Sequence, residues 1–121
     1  TTDNGSAAGA KLDRAGQVTA GYNAGMRGLK GSPYEGGHRV PFFLRYPAGR
    51  LGGGRDLPQL TSSLDVLPTL LDLCRIAAPA QNRFDGRALT PLLTGTGQGW
   101  PTRTLVVDTQ REDTLKPDKP S

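Results

Sequence analysis

The stretch Asp65–Cys74 reads DVLPTLLDLC and has the clearest local pattern in this 121-residue chain. Its apolar side chains recur at the spacing i, i+3, i+4, i+7, in Leu67, Leu70, Leu71 and Cys74. This spacing places them on one face of an α-helix. Asp65 suits the N-cap, and Pro68 is tolerated only within the first turn, so both residues indicate the same helix start. The stretch therefore predicts an amphipathic helix over residues 65–74.

Three further elements flank this helix in the sequence. Val40–Tyr46 is a short, nearly continuous apolar run, typical of a strand that is covered on both faces of a parallel sheet. Arg87–Thr94 predicts a shorter helix with Gly95 as its C-cap, and Thr104–Asp108 predicts a second strand. Residues 50–56 contain three consecutive glycines and predict a surface turn. The order of strand, helix, helix and strand over residues 40–110 indicates part of an α/β layer fold.

The two ends of the chain carry weaker patterns. Residues 1–39 hold few apolar side chains and fit neither helical nor strand spacing, so we expect a loop with at most one short helical turn. Such a long loop is either functional or lacks its packing partners. Residues 111–121 predict an exposed tail. Because two strands cannot form a covered parallel sheet and large apolar residues are few, we expect a segment of a larger domain rather than an independent core.

Composition excludes several classes of function. Lys and Arg number 15 against 11 Asp and Glu, which gives a net charge of +4. The basic residues are scattered from Lys11 to Lys119 and do not form the patch of a nucleic-acid-binding protein, so we expect no nucleic-acid partner. No apolar run approaches the ~18 residues of a membrane span, so we expect no membrane partner. The single cysteine excludes an internal disulfide.

Two polar stretches are candidates for chemistry. Asp3 and Asn4 offer adjacent oxygen donors before a glycine, which suits either an ordinary Asx-type turn or a minority of the six to eight oxygen ligands of calcium. Residues 30–39 combine Lys30 with Glu35 and His38 among several glycines. Lysine is a mobile point charge suited to an oxyanion, but the same stretch also suits a solvated loop with a Glu35–Arg39 ion pair.

These stretches, with three later ones, resemble the second half of the catalytic domain of the type I (arylsulfatase-like) sulfatases. The resemblance covers nearly the whole chain up to about residue 110. It is carried, in order, by residues 2–5 (TDNG), 23–32 (NAGMRGLKGS), 34–42 (YEGGHRVPF), 64–73 (LDVLPTLLDL), 84–89 (FDGRAL) and 91–93 (PLL).

The resemblance implies an α/β, alkaline-phosphatase-like sandwich that lacks its N-terminal strands, and a sulfuric ester hydrolase acting on small-molecule or saccharide sulfate esters. It implies that Asp3 and Asn4 ligate calcium and that Lys30 is a catalytic residue that binds the substrate sulfate. His38 either lines the substrate pocket or only fills the loop. Members of this family attack sulfur with a formylglycine and are often periplasmic or secreted. The missing N-terminal part of the same domain is the implied partner.

The chain departs from the family pattern at the nucleophile. Cys74 is followed by Arg75-Ile76-Ala77-Ala78 and does not fit the Cys/Ser-x-Pro/Ala-x-Arg motif that becomes formylglycine, so we expect a buried packing thiol. The formylglycine is thus expected in the full-length protein but is not encoded here, and we predict that the chain alone is inactive. Glu35, Arg39 and Asp65 are interpreted as structural. The alternatives are a phosphonate or phosphoester hydrolase of the same superfamily and a non-catalytic, degenerate sulfatase-like module.

Overall fold

The computed structural model describes residues 1–49 and 51–107. These residues form two compact units with mixed helix and strand content: Thr1–Leu44 with Val106 and Val107, and Arg45–Leu105. The prediction of one partial catalytic domain, divided at residues 39/40 and 110/111, stays a prediction. The exposed tail over residues 111–121 lies outside the described residues, as does Arg50 at the start of the predicted surface turn.

The first unit begins with a β-hairpin that the sequence did not predict. Strand β1 (Lys11–Leu12) pairs antiparallel with β2 (Val18–Ala20). The connecting turn forms because the Asp13 side chain accepts hydrogen bonds from the backbone N–H groups of Ala15 and Gln17, at 2.8 and 2.9 Å. The expectation of a loop with one helical turn was therefore incomplete. Strands of two and three residues are too short to show alternation in the sequence.

Helix α1 (Glu35–His38) is the short helical turn expected before residue 39. It contains Gly36 and Gly37, both fully buried. The Arg39 guanidinium donates to the Glu35 carboxylate at 3.1 Å, and both side chains are about two-thirds exposed. The predicted Glu35–Arg39 ion pair is thus confirmed, as an exposed pair one helical turn apart.

The two strands predicted from apolar runs are not formed in the described residues. Val40–Tyr46 and residues 104–107 carry no strand pairing, and Asp108 lies outside the described part. The apolar pattern describes a strand covered on both faces, but a strand exists only when its backbone groups find a partner. The one described sheet is the β1–β2 hairpin, so the side chains of Phe43 and Val106 are instead 84% and 90% exposed.

The second unit is built on the predicted helix, which starts after Asp65 as expected and is preceded by a 3₁₀ turn that the sequence did not predict. A 3₁₀ turn over Ser63–Asp65 leads directly into α2 (Val66–Leu73). Ser62 is the N-cap of this 3₁₀ turn. Its hydroxyl oxygen accepts from the Leu64 N–H at 3.3 Å, and its backbone N–H donates to the Asp65 carboxylate at 2.8 Å. Asp65 therefore stands at the N-cap position of α2, as predicted, but its side chain does not cap that helix and instead forms the third position of the capping box that begins at Ser62.

Helix α2 does not bury its predicted apolar face within the described residues. Leu67 and Leu70 are about half exposed, and Cys74 is exposed, so the expectation of a buried packing thiol was wrong. The buried residue of α2 is Thr69 instead. Its hydroxyl donates to the Asp65 carbonyl at 2.5 Å and accepts from the Leu89 N–H at 2.8 Å. Thr69 is therefore the point at which α2 binds the neighbouring segment, through the bond from Leu89.

The second predicted helix is real but shorter than expected. Helix α3 spans Thr90–Leu93, has Thr94 as its C-cap, and contacts α2. Gly95 follows the C-cap with a φ of +79°, a conformation that glycine adopts without steric cost. The buried apolar side chains of the described residues are Leu89 and Leu92, which agrees with the expectation of a very small core.

An ion pair replaces the missing apolar core at the centre of the second unit. The Asp65 carboxylate is fully buried and pairs with the Arg103 guanidinium through both oxygens. It also accepts from the Arg87 N–H at 2.8 Å. Burial raises the pKa of Asp65, but these hydrogen bonds and that from Ser62 outweigh it and lower the pKa from 3.8 to about 2. The structural interpretation of Asp65 is thus confirmed, with Arg103 as a partner that the sequence did not indicate.

Candidate functional site

The four residues predicted to carry chemistry all lie in the first unit, on three segments held by backbone contact. We call residues 3–6, 28–32 and 35–38 the loop cluster. The Lys30 N–H donates to the Ser6 carbonyl at 2.8 Å, and the Gly5 N–H donates to the Gly37 carbonyl at 2.9 Å. Asp3 and Asn4 therefore directly precede the Gly5–Gly37 hydrogen bond, and His38 directly follows it. Lys30 itself forms the other hydrogen bond. Segments far apart in sequence are brought together by their main chains.

Glycine makes this close approach possible. A Cβ on Gly36 would lie 2.6 Å from the Arg27 carbonyl oxygen, and a Cβ on Gly37 would lie 2.6 Å from that of Leu29. A Cβ on Gly5 would lie 2.8 Å from the Gly36 carbonyl carbon. Real side chains do not approach backbone this closely. The glycines quoted for the family resemblance thus have a physical role, which is to let the segments that carry Asp3, Lys30 and His38 touch.

The four side chains differ in how open they are. Lys30 and Asp3 are exposed, whereas Asn4 and His38 are half-buried. The His38 Nδ1 atom is buried and has no hydrogen-bond partner in the described part of the chain. An exposed lysine and a half-buried histidine on joined segments are residue types that suit an anionic ligand, because lysine presents a point charge and histidine a directional donor or acceptor.

The donor types at Asp3 and Asn4 fit a hard cation, but they are few. Calcium takes six to eight oxygen ligands, and these two side chains supply a carboxylate and an amide oxygen. No group of three His, Cys, Asp or Glu side chains among residues 1–49 and 51–107 is arranged to hold a metal ion. The pair therefore suits part of a calcium site and not a whole one.

A second contact in the first unit holds the loop that leads to Lys30. The Arg27 guanidinium lies over the Tyr34 ring, 3.7 Å from its centroid. The Gly36 N–H donates to the Arg27 carbonyl at 2.7 Å, and the Gly28 N–H donates to the Gly16 carbonyl at 2.8 Å. No motif in the sequence gives Arg27 a role, although an arginine and an aromatic residue flanking one glycine loop are a recognisable stacking pair.

Comparison with known proteins places this arrangement in a family. A family model described as "N-sulphoglucosamine sulphohydrolase, C-terminal" matches residues 30–107. The steryl-sulfatase of Mus musculus is 41% identical over 88 residues, covering 73% of this chain and 14% of the relative. The arylsulfatase G of Mus musculus is 36% identical over 103 residues, covering 81% and 19%. An extracellular sulfatase of Drosophila melanogaster is 30% identical over 103 residues, covering 79% and 9%.

The chain belongs to the sulfatase family, as a segment from the C-terminal part of a sulfatase. It spans less than a fifth of the length of these curated relatives. No solved structure gives a significant match. In the described part of the chain, no helix combines the length and the apolar character needed to cross a membrane.

Proposed function

We propose that this chain is the C-terminal segment of a sulfuric ester hydrolase catalytic domain, which cleaves sulfate monoesters. The observation that carries the proposal is the loop cluster, in which the segments bearing Asp3 and Asn4, Lys30, and His38 are joined by the Lys30 N–H to Ser6 carbonyl bond at 2.8 Å and the Gly5 N–H to Gly37 carbonyl bond at 2.9 Å. Membership of the sulfatase family supports the same reaction. The segment works within the rest of that domain, which is its partner.

Lys30 is the proposed catalytic and substrate-binding residue. A sulfate ester spreads negative charge over its oxygens during cleavage, and a fixed cation lowers the energy of that charge. The Lys30 ammonium extends from a backbone that is anchored at its own N–H, so the charge is presented from a fixed point. His38 is proposed to line the substrate pocket, where its buried and unpartnered Nδ1 keeps hydrogen-bonding capacity in reserve.

Asp3 and Asn4 are the proposed calcium ligands of this chain. Calcium, when bound, supplies Lewis-acid polarisation of a sulfate oxygen. The carboxylate of Asp3 and the amide oxygen of Asn4 supply two hard donors, and the remaining ligands come from the rest of the domain. The nucleophile, a formylglycine, comes from there as well, since the exposed Cys74 lies in the second unit and outside the required motif.

The rest of the domain is proposed to complete an alkaline-phosphatase-like sandwich. The exposed apolar run at Phe42–Leu44 and the exposed Val106 support this, because such side chains are normally buried. The half-exposed apolar face of α2 supports it in the same way. A periplasmic or secreted location is proposed from the family resemblance.

A segment exchange tests the proposal. Residues 1–107 replace the matching segment of an arylsulfatase, and hydrolysis of an aryl sulfate is measured in the presence of calcium. We expect turnover, and a loss of at least 100-fold for Lys30→Ala. Lys11→Ala, an exposed lysine on β1, is the matched control and should keep full turnover.

Three outcomes would contradict the proposal. Preferential hydrolysis of the matching aryl phosphate would favour a phosphoester hydrolase of the same superfamily. A folded exchange protein without turnover on either ester would favour a degenerate, non-catalytic module. Turnover by the 121-residue chain alone would contradict the need for the rest of the domain.

A further inference from the structure

The side chain buried at the centre of the first unit is polar. Asn23 is 6% exposed, and among the described residues of this unit it is the one non-glycine residue that is fully buried. Compact units usually bury apolar side chains at such positions. Buried polar groups are usually hydrogen-bonded, and here the Asn23 Nδ2 group is, whereas Oδ1 has no partner in the described residues, so the Nδ2 bonds indicate what Asn23 does.

Both hydrogen bonds of the Asn23 amide go to the backbone that leads to Lys30. Its Nδ2 donates to the Met26 carbonyl and, at 3.2 Å, to the Gly28 carbonyl. The backbone carbonyl of Asn23 accepts from the Met26 N–H at 3.2 Å, which closes a turn. A single side chain thus spans the turn and the residues that follow it.

The turn needs such a tie. Ala24 has a φ of +57° and Gly25 a φ of +73°. Alanine rarely adopts the left-handed conformation, so this turn persists because neighbouring contacts hold it. The Asn23 side chain supplies two of these contacts, and both require an N–H₂ group, which an aspartate lacks.

The same amide also borders helix α1, whose last residue is His38. A Cβ on Gly36 would lie 2.9 Å from Asn23 Nδ2, so the two residues are in close contact. The Gly36 N–H donates to the Arg27 carbonyl, which lies between the two carbonyls that Asn23 binds. Asn23 therefore sets the backbone of residues 26–28, against which both Lys30 and residues 36–38 are placed.

We propose that Asn23 is a positioning residue for the sulfate-binding loop: its side-chain amide fixes residues 26–28 and thereby the point from which Lys30 is presented. Asn23 acts through the backbone and does not touch the ligand. The proposal rests on the proposed function for the role of Lys30, and on the hydrogen bonds alone for the ordering of the loop.

Amide hydrogen exchange of the 121-residue chain tests the ordering. We expect Asn23→Asp and Asn23→Ala to lower the protection of the Gly28, Lys30 and Gly36 amides at least tenfold. Protection of the Cys74 and Leu93 amides of the second unit, which bond to Leu70 and Leu89, should stay within twofold. Asn82→Asp, at an exposed asparagine of the second unit, is the matched control for charge and should leave all three first-unit amides unchanged.

Titration with inorganic sulfate, followed by the Lys30 side-chain resonance, tests the link to function. We expect both Asn23 variants to weaken sulfate binding at least tenfold, and Asn82→Asp to leave it unchanged. If Lys30→Ala does not affect sulfate binding, the proposed function fails while the exchange result still stands. Unchanged protection in both Asn23 variants, or an equal loss throughout the second unit, would overturn the positioning role.

Discussion

In the first unit, backbone segments meet at several glycines that have no room for a Cβ, and the Asn23 amide adds to these contacts. The second unit has a similar contact between Gly86 and Leu64, but side-chain hydrogen bonds of Asp65, Thr69 and Arg103 join most of its segments. Gly5 and Gly36 allow the first arrangement, because neither position has room for a Cβ. The buried pair of Asp65 and Arg103 holds the second. Within residues 1–49 and 51–107, neither unit has a large apolar core, so each depends on a few contacts that admit little change.

Among the described residues, each unit contains one carboxylate–guanidinium pair, and the two pairs differ in burial. Glu35–Arg39 is about two-thirds exposed, whereas Asp65 is 0% exposed. Water and salt screen the first pair, and its net contribution is small. The second pair is shielded from water, so removal of one partner leaves a buried charge without a compensating one. The same kind of ion pair thus contributes little to stability in the first unit and much in the second.

Loss of Arg103 should have the largest effect. Arg103→Met leaves the buried Asp65 carboxylate with backbone donors alone, and we expect the second unit to lose about 3–5 kcal/mol of unfolding free energy. Urea unfolding followed by fluorescence measures this, since Trp100 is the single tryptophan and lies in this unit. Arg39→Met in the first unit is the matched control: hydrogen exchange of the residue-39 amide, which donates to the Glu35 carbonyl, should show a loss below about 1 kcal/mol. Equal losses would remove the contrast between the two pairs.

A methyl group at Gly36 should have the next largest effect. The added Cβ meets backbone carbonyls, which cannot rotate away, so we expect Gly36→Ala to cost the first unit about 3 kcal/mol. Exchange rates of the Gly5 and Lys30 amides report the loss. Gly53→Ala, where a Cβ meets nothing within 4 Å, should leave these rates unchanged. Tolerance of alanine at Gly36 would show that direct backbone contact does not hold this unit.

The second unit should also lose stability in acid. The unfolded chain protonates Asp65 near pH 3.8, whereas the folded chain does so at about pH 2. The difference stabilises the folded unit by about 2 kcal/mol at neutral pH, and this contribution disappears as the pH falls from about 4 to about 2. Urea midpoints across this range measure it. Asp65→Asn should flatten the profile, and an unchanged slope in that variant would assign the acid sensitivity to other groups.

Loss of the exposed pair should have the smallest effect. We expect Glu35→Gln to cost about 0.3–0.5 kcal/mol at low salt, as is typical of pairs one helical turn apart. At about 1 M salt the Debye length falls to about 3 Å, and the difference from the unsubstituted chain should vanish. Exchange of the Arg39 amide, which donates to the Glu35 carbonyl, reports it. A loss above about 2 kcal/mol would show that exposure does not decide the worth of a pair.

The sequence located the helices well and the strands poorly. Asp65–Cys74 and Arg87–Thr94 were found because helical hydrogen bonds are local and the chain supplies them itself. Ser62 and Asp65 also form a capping box that the spacing of serine and aspartate could have revealed. Val40–Tyr46 was predicted as a strand and is not one here, because a strand takes its hydrogen bonds from another segment.

The candidate site was located from its motifs, and its supporting contacts were not. Asp3, Asn4, Lys30 and His38 were singled out from the family resemblance, and their roles stay predictions. Asn23 lay inside a quoted motif without an assigned role, and Arg103 lay outside every quoted motif. Nothing in their local sequence distinguishes them from exposed polar residues.

The amino-acid sequence by itself determined the helical segments, the glycine-rich loop and the family, because these depend on residues that are near one another in the chain. The tertiary structure alone decided which glycines touch, that Asn23 is buried, and that Asp65 pairs with a residue 38 positions away. Contacts of this kind depend on where the backbone has been brought by everything between the two residues. A local sequence pattern does not indicate which distant residues will be neighbours in space, so these partners are seen only in the folded chain.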